Sequence, residues 1–218
     1  MPPYRRPVLV AAALFASLWA CASDDPAARR DSIVAAGQED YAASHRNLNQ
    51  ARDTAETAAR APAALTDNNI LARVAQDDRL EVQIAGIAIP KISSPALKDF
   101  ARQIRDNHSA GESDARKLSQ ALKIPEQPAA TDTTRQHQQA LVAAFTRLPK
   151  GVAFDTTYVR HLVDGHTAML RDLKTMETKA IRAEVKKLLA GAAPEVQRHL
   201  NRAREIGRAL TAARKPAS

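Results

Sequence analysis

Residues 100–109 read Phe-Ala-Arg-Gln-Ile-Arg-Asp-Asn-His-Ser, and residues 158–167 repeat the pattern as Tyr-Val-Arg-His-Leu-Val-Asp-Gly-His-Thr. An aromatic residue, an aliphatic residue, an aspartate, a histidine and a hydroxyl residue occupy the same positions in both copies. Around each copy, most of the residues at alternating steps of four and three are apolar, which is the period of one helical stripe facing other helices. The repeat therefore predicts two long helices, each with a histidine on its buried stripe.

Two further segments keep this spacing. A segment late in the chain carries His199 on its stripe, and a segment before the first copy carries Glu81 near its middle. The two copies themselves carry His108 and His166 at the equivalent point. The sequence has no useful stretch of the two-residue alternation that marks strands. Four long amphipathic segments without strands predict an all-α fold built as a four-helix bundle.

Capping residues and prolines indicate where these helices begin and end. Thr66 or Asp67 can cap the first helix, and Pro194 within the last segment predicts a kink or a restart. One longer crossover, 125–151, joins the second and third long helices. The predicted long helices span 67–89, 94–123, 154–177 and 179–213, with a shorter helix at 132–148 in the crossover. The bundle domain is therefore predicted at 65–213, followed by a tail at 214–218.

The first residues have the pattern of an export signal. Two arginines precede the apolar run 8–19, which is shorter than the roughly 20 residues that span a bilayer. The single cysteine, Cys21, follows in Leu-Trp-Ala-Cys, which resembles a bacterial lipobox. We expect 1–21 to be a signal peptide with a lipobox-like end, and Cys21 to be lipidated. Cleavage after Ala22 without a lipid is the alternative.

Residues 22–64 have a composition typical of a spacer. They are rich in Ala, Arg and Gln, and their stripe of large apolar residues is thin. A helix without packing partners is marginally stable in water. We therefore expect a partly helical stalk, mobile or weakly packed, that holds the bundle away from the membrane.

Charge and motif content argue against nucleic-acid binding and against catalysis. The net charge is +8, but basic and acidic residues are interleaved along the helices, so we expect no nucleic-acid partner. The sequence has no Gly-rich phosphate loop and no Gly-x-Ser-x-Gly elbow, and its cysteine lies in the leader. The neighbouring carboxylates Asp77 and Asp78 are expected to be solvated. We therefore expect no catalytic residues and do not expect an enzyme.

Three motifs carry a family resemblance. They are Phe-Ala-x-x-Ile-x-x-x-His at 100–108, Phe-Asp-x-x-Tyr-Val-x-x-Leu-Val-x-x-His at 154–166, and Pro-x-x-x-x-His-Leu at 194–200. In this order they resemble domain-of-unknown-function family 4142 of the bacterial envelope, often labelled predicted outer membrane proteins. The resemblance covers about 65–210 and implies a ferritin-like four-helix bundle and an envelope location, with no established activity. Family members usually have Asp before each motif histidine, where this chain has Asn107 and Gly165.

Four polar side chains lie near the middle of the predicted long helices, and an antiparallel bundle brings helix midpoints to one level. They are Glu81, His108, His166 and His199. Glu112 and Glu195 lie four residues from a stripe histidine and are weaker candidates. Imidazole and carboxylate ligands suit zinc, iron or copper. No Glu-x-x-His occurs, so the di-iron site of ferritin-like enzymes is not expected.

The alternative is a polar layer without metal, in which hydrogen bonds satisfy each buried histidine and fix the helix register. His45, His137 and His161 lie off the counted stripes and are expected at the surface.

The sequence thus favours a non-catalytic envelope lipoprotein whose bundle serves as a structural or interaction module without a cofactor. We expect it to be attached through a lipid on Cys21 at the periplasmic face of the outer membrane, or to be soluble in the periplasm as the alternative. Its protein partners are not encoded in any recognisable motif. The second functional hypothesis is an envelope protein that buffers or senses a transition metal through the stripe residues.

Overall fold

The structure, a computed structural model, describes residues 34–43, 65–128 and 134–213, together with residues 27, 31, 32, 46 and 50. The predicted signal peptide with Cys21, the tail, His45 and most of the predicted stalk lie outside the described residues. Within the described ranges all regular structure is helical, which confirms the all-α prediction. The helices are α1 (Asp67–Ala88), α2 (Pro95–Leu122), α3 (Thr134–Arg147), α4 (Val152–Lys179) and α5 (Ala183–Ala212).

Local hydrogen bonds explain where the first helices begin. Thr66 caps α1, and its hydroxyl accepts from the backbone N–H of Asn69 while the Asn69 side chain accepts from the Thr66 backbone N–H. Ser94 caps α2, and Pro95 fills its first position, where a missing N–H costs nothing. The helix ends at Lys123, which adopts a left-handed conformation with φ of 55°. Residues close in sequence therefore determine these boundaries.

Two antiparallel hairpins form the bundle, α1 with α2 and α4 with α5. Each hairpin holds the turn of the other through one buried carboxylate. Asp67, at the start of α1, accepts from the backbone N–H groups of Ile181 and Arg182 at 2.9 and 3.1 Å. Asp155, near the start of α4, accepts from the two backbone N–H groups at residues 93–94, both at 2.9 Å. These reciprocal bonds set the axial register of the two hairpins.

The crossover helix α3 packs against α1. Lys91, in the turn after α1, donates from Nζ to the carbonyl oxygens of Phe145, Thr146 and Leu148. A cation at the C-terminal end of a helix satisfies carbonyl groups that have no partner within the helix. The sequence predicted a helix at 132–148 here, and α3 matches it closely.

Part of the predicted stalk packs on the bundle. Residues 34–43 are helical, and Tyr41 among them is only 1% exposed. Its ring lies edge-on to Phe145 of α3 with centroids 5.3 Å apart, and Asp40 pairs with Arg147 at 2.9 Å. The thin apolar stripe misled the sequence interpretation, because one buried tyrosine and an ion pair suffice to hold this segment against α3.

Two apolar clusters fill the core, and a polar layer separates them. On α2, α4 and α5 the stripe changes from one cluster to the other at the layer histidine. On α4, for example, Leu162 belongs to one cluster and Met169 to the other, with His166 between them. On α5, Val196 and Ala203 flank His199 in the same way. The helix midpoints therefore lie at a common level, as the sequence predicted.

Helix α5 runs without interruption through Pro194. The sequence predicted a kink or a restart there, and the restart is wrong. Proline removes one backbone hydrogen bond, and packing of the flanking stripe on both sides of Pro194 keeps the helix together. None of the helices in the described part of the chain is long and apolar enough to cross a membrane.

Candidate metal centre

Three histidines meet in the polar layer. One ring nitrogen from each of His108, His166 and His199 lies within 4.8 Å of the others. They come from α2, α4 and α5, and their exposed fractions are 4%, 0% and 1%. Three of the four residues that the sequence assigned to the layer are therefore brought together in a buried cluster, which we call the histidine triad.

His108 and His166 face each other in the geometry of ligands that share one ion. Their Nε2 atoms are 3.4 Å apart. Two nitrogens bound tetrahedrally to zinc at about 2.0–2.1 Å must themselves be about 3.3–3.4 Å apart. The Nδ1 of His108 is hydrogen-bonded to Asp78 at 2.7 Å, and the Nδ1 of His166 donates to the Leu162 carbonyl at 2.8 Å. Each bond occupies Nδ1 and leaves Nε2 as the ligand atom.

His199 has a carboxylate partner as well. Its Nε2 lies 3.0 Å from Glu195 Oε1, which also accepts from the Asn107 amide at 2.6 Å. A His199 that donates from Nε2 to Glu195 presents an unprotonated Nδ1. This Nδ1 is buried and has no hydrogen-bond partner among the described residues. The ligand nitrogens of the three rings all lie within 4.8 Å of one another, and binding of one ion would bring them closer together.

Burial sets the charge state of the triad. Desolvation lowers the pKa of His166 to about 3 and the pKa of His199 to about 4, and a charge on His108 lowers both further. Burial also acts to lower the pKa of His108, but the hydrogen bond to Asp78 and the charge of Glu81 raise it overall. Two neutral imidazoles therefore lie beside one histidine that retains a proton more readily. A proton or a cation belongs between His108 and His166.

Glu81 lies next to the triad but pairs with a different histidine. Its Oε2 is 3.4 Å from Nε2 of His161, and both side chains are almost completely buried. Burial acts to raise the pKa of Glu81, but the neighbouring histidines, His161 foremost, lower it overall. Glu81 therefore provides a buried negative charge close to the triad.

The predicted surface position of His161 is wrong. Its ring contacts the rings of Phe145 and Tyr41, with centroids 5.2 and 6.4 Å away. The sequence interpretation counted one buried stripe on α4. A second stripe, which includes His161, is covered by α3 and by residues 34–43. His137, also predicted at the surface, is half-buried.

The two weaker candidates differ in position. Glu195 lies behind His199, where it holds the imidazole rather than joining the triad. Glu112 binds Arg79 and Arg116, each at 2.7 Å, and lies outside the triad.

The neighbouring carboxylates Asp77 and Asp78 were expected to be solvated, and this expectation is wrong because both are buried. Asp78 holds His108, while Asp77 accepts from Gln138 of α3 at 3.0 Å and from Arg73 at 3.0 Å. The one signal for their burial is spacing. Asp78 lies three residues and Asp77 four residues before Glu81, which places both on the same face of the helix.

The arrangement consists of three imidazoles, two of them held by carboxylates, in a buried layer of a helical bundle. All three triad histidines lie in the part of the chain that matches a family model. The chain belongs to the DUF4142 family, a domain of unknown function. The match covers residues 35–206. It begins before the predicted domain start at Leu65, in agreement with the packing of Tyr41 on the bundle. No curated protein and no solved structure matches the chain.

Proposed function

We propose that this DUF4142 bundle binds one divalent transition-metal ion through His108, His166 and His199. The observation that carries the proposal is the 3.4 Å separation of the His108 and His166 Nε2 atoms, with Nδ1 of both rings held by other partners. Imidazole ligands suit zinc, copper and iron, and carboxylates behind metal-binding histidines are the usual supporting partners.

A purely structural layer explains these contacts less well. In such a layer each buried nitrogen needs a hydrogen bond, and an unsatisfied one costs about 1–3 kcal/mol. The triad leaves Nδ1 of His199 without a partner among the described residues. Between His108 and His166, two neutral imidazoles would also direct lone pairs at each other, so a layer without metal requires a second proton on His108. A metal ion resolves both problems together.

Charge balance also supports a cation. Three neutral imidazoles leave a divalent ion with its full charge, which is costly in a dry core. The carboxylates of Asp78 and Glu81 are buried beside the triad, and Glu195 lies behind His199. These acids offset the charge of the ion without taking a place in the triad.

The setting of this site is also part of the proposal. The basic and apolar leader, the lipobox-like Cys21 and the family resemblance support an envelope lipoprotein at the outer membrane. Within that setting the bundle would buffer or sense a metal without catalysing a reaction. The competing role, a structural or interaction module that binds no metal, makes the opposite prediction for metal content.

The test is a metal titration of the purified protein and of His166→Ala, with bound metal measured by mass spectrometry and the melting temperature recorded with zinc and with chelator. We expect one ion per chain and a higher melting temperature with zinc for the parent protein, and neither for the variant. His137→Gln removes a histidine outside the triad and should bind like the parent. A parent protein that retains no metal and melts equally in zinc and chelator would identify the layer as structural.

A further inference from the structure

A cavity of about 770 Å³ opens beside the triad. His108 and His199 form part of its wall, while the rest comes from α1, α2, α4 and α5. Pockets of roughly 300–1,000 Å³ hold small organic ligands. The cavity is thus large enough for a molecule that reaches from the triad toward the surface between α2 and α5.

The wall of this cavity is apolar away from the histidines. Its larger apolar side chains include Val74, Met169, Leu173, Met176, Leu188 and Val196. The carboxylates nearest the triad, Asp78 and Glu195, are already bonded to His108 and His199. Asp77, Asp114, Glu184 and Lys187 complete the charged lining, so the five carboxylates outnumber the single lysine. An anionic ligand is therefore disfavoured, and an uncharged one is favoured.

Three protein ligands leave one tetrahedral position of a metal ion unfilled. Structural zinc sites have four protein ligands, whereas sites with three keep a position for water or an external ligand. Glu81 is the nearest further carboxylate from the predicted layer, and it is engaged with His161 at 3.4 Å. The cavity borders His108 and His199 but not His166. The open position therefore faces the cavity.

Resting on the proposed metal site, we infer that the bound ion takes a fourth ligand from this cavity, namely a small molecule with one uncharged nitrogen donor on an apolar body. The donor would fill the open coordination position. The apolar body would lie along the wall formed by Leu173, Met176 and Leu188. The site would then bind a ligand through the metal rather than hold the metal alone.

Glycine positions provide a specific variant and its control. Gly191 lines the cavity, and no atom lies within 4 Å of the position that a Cβ would occupy there. A leucine there meets no clash at its Cβ, and because Gly191 is exposed, the side chain adds apolar bulk at the solvent-facing edge of the cavity. Gly86 also has no atom within 4 Å of its Cβ position, but it lies on α1 outside the cavity lining. Gly86→Leu is therefore the matched control for Gly191→Leu.

The experiment uses the Co(II)-loaded protein and follows the visible absorption of cobalt during titration with 1-methylimidazole and 1-hexylimidazole. We expect both to change the spectrum, with the hexyl compound binding at least about tenfold more tightly because its chain is buried in the cavity. Gly191→Leu should weaken the hexyl compound about tenfold and leave the methyl compound unchanged. Gly86→Leu should behave like the parent protein.

The possible failures are distinguishable. A parent protein without a cobalt spectrum would refute the metal site, and this inference with it. A cobalt spectrum that neither imidazole alters would refute only the open position. Equal affinity for the two imidazoles, or a Gly191→Leu protein that binds the hexyl compound normally, would refute the role of the cavity.

Discussion

Acid should destabilise the metal-free bundle, and His166 should account for a large part of the effect. The pKa of this histidine is lowered from 6.5 to about 3 because the ring is completely buried. As the pH falls below 6.5, the unfolded chain takes up a proton that the folded chain does not, so stability is lost. At about pH 4.5, two units below the unfolded pKa, the loss from His166 is about 2–3 kcal/mol.

The other triad members modify this loss in known directions. The pKa of His199 is lowered to about 4, also by burial, so it adds a loss in the same pH range. The pKa of His108 is raised by Asp78 despite burial. Its contribution to stability is therefore fully present below pH 6.5 and is lost only as the pH rises through its folded pKa. Below pH 6.5 this contribution is constant, so in that range it neither adds to nor offsets the acid-induced loss from the other two.

The assay is urea unfolding of the metal-free protein, followed by circular dichroism at pH 7 and at about pH 4.5. His166→Leu replaces the imidazole with an apolar side chain that cannot titrate, so its loss between the two pH values should be smaller by about 2–3 kcal/mol. His137→Gln serves as the control and should keep the dependence of the parent. An unchanged pH dependence in His166→Leu would refute the assignment of His166 as a neutral, buried histidine.

Two further predictions concern the supporting carboxylate and the anchor. Asp78→Asn removes the charge that holds Nδ1 of His108 at 2.7 Å, so zinc affinity should fall by about 10–100-fold. The affinity is measured by competition with a chromophoric chelator. The nearby Asp114→Asn should leave it within about twofold, and a larger loss in Asp114→Asn than in Asp78→Asn would contradict the role of Asp78. Cys21→Ser should abolish labelling with a radioactive fatty acid and release the protein from the membrane fraction; an unlabelled parent protein that begins at Ser23 would contradict lipidation.

The helices could be predicted from the sequence because their causes are local. The Thr66–Asn69 capping box and the Ser94–Pro95 start lie within one turn of the boundaries they determine. The exception is Pro194, where the sequence predicted a kink or restart and α5 continues. The cost of that proline is local, but the contacts that offset it belong to the other helices of the bundle.

The site was predictable to the extent that it depends on periodicity. His108, His166 and His199 share one stripe position on three helices, and antiparallel packing places helix midpoints together, so their meeting follows from the spacing. The choice of partners does not follow. Nothing in the spacing indicates that Asp78 rather than Glu81 holds His108, because these two residues lie about one turn apart on the same face of α1.

What the sequence determined by itself is the helical class, the helix ends and the histidine on each of three stripes, because these depend on residues a few positions apart. Tertiary structure alone decided which faces of those helices are covered. His161 is buried because α3 and Tyr41 lie over it. Glu81 pairs with that histidine and not with the triad. The cavity beside His108 and His199 also depends on how the helices pack against one another. Its walls come from four helices, and their mutual distances depend on side-chain packing between segments far apart in the chain.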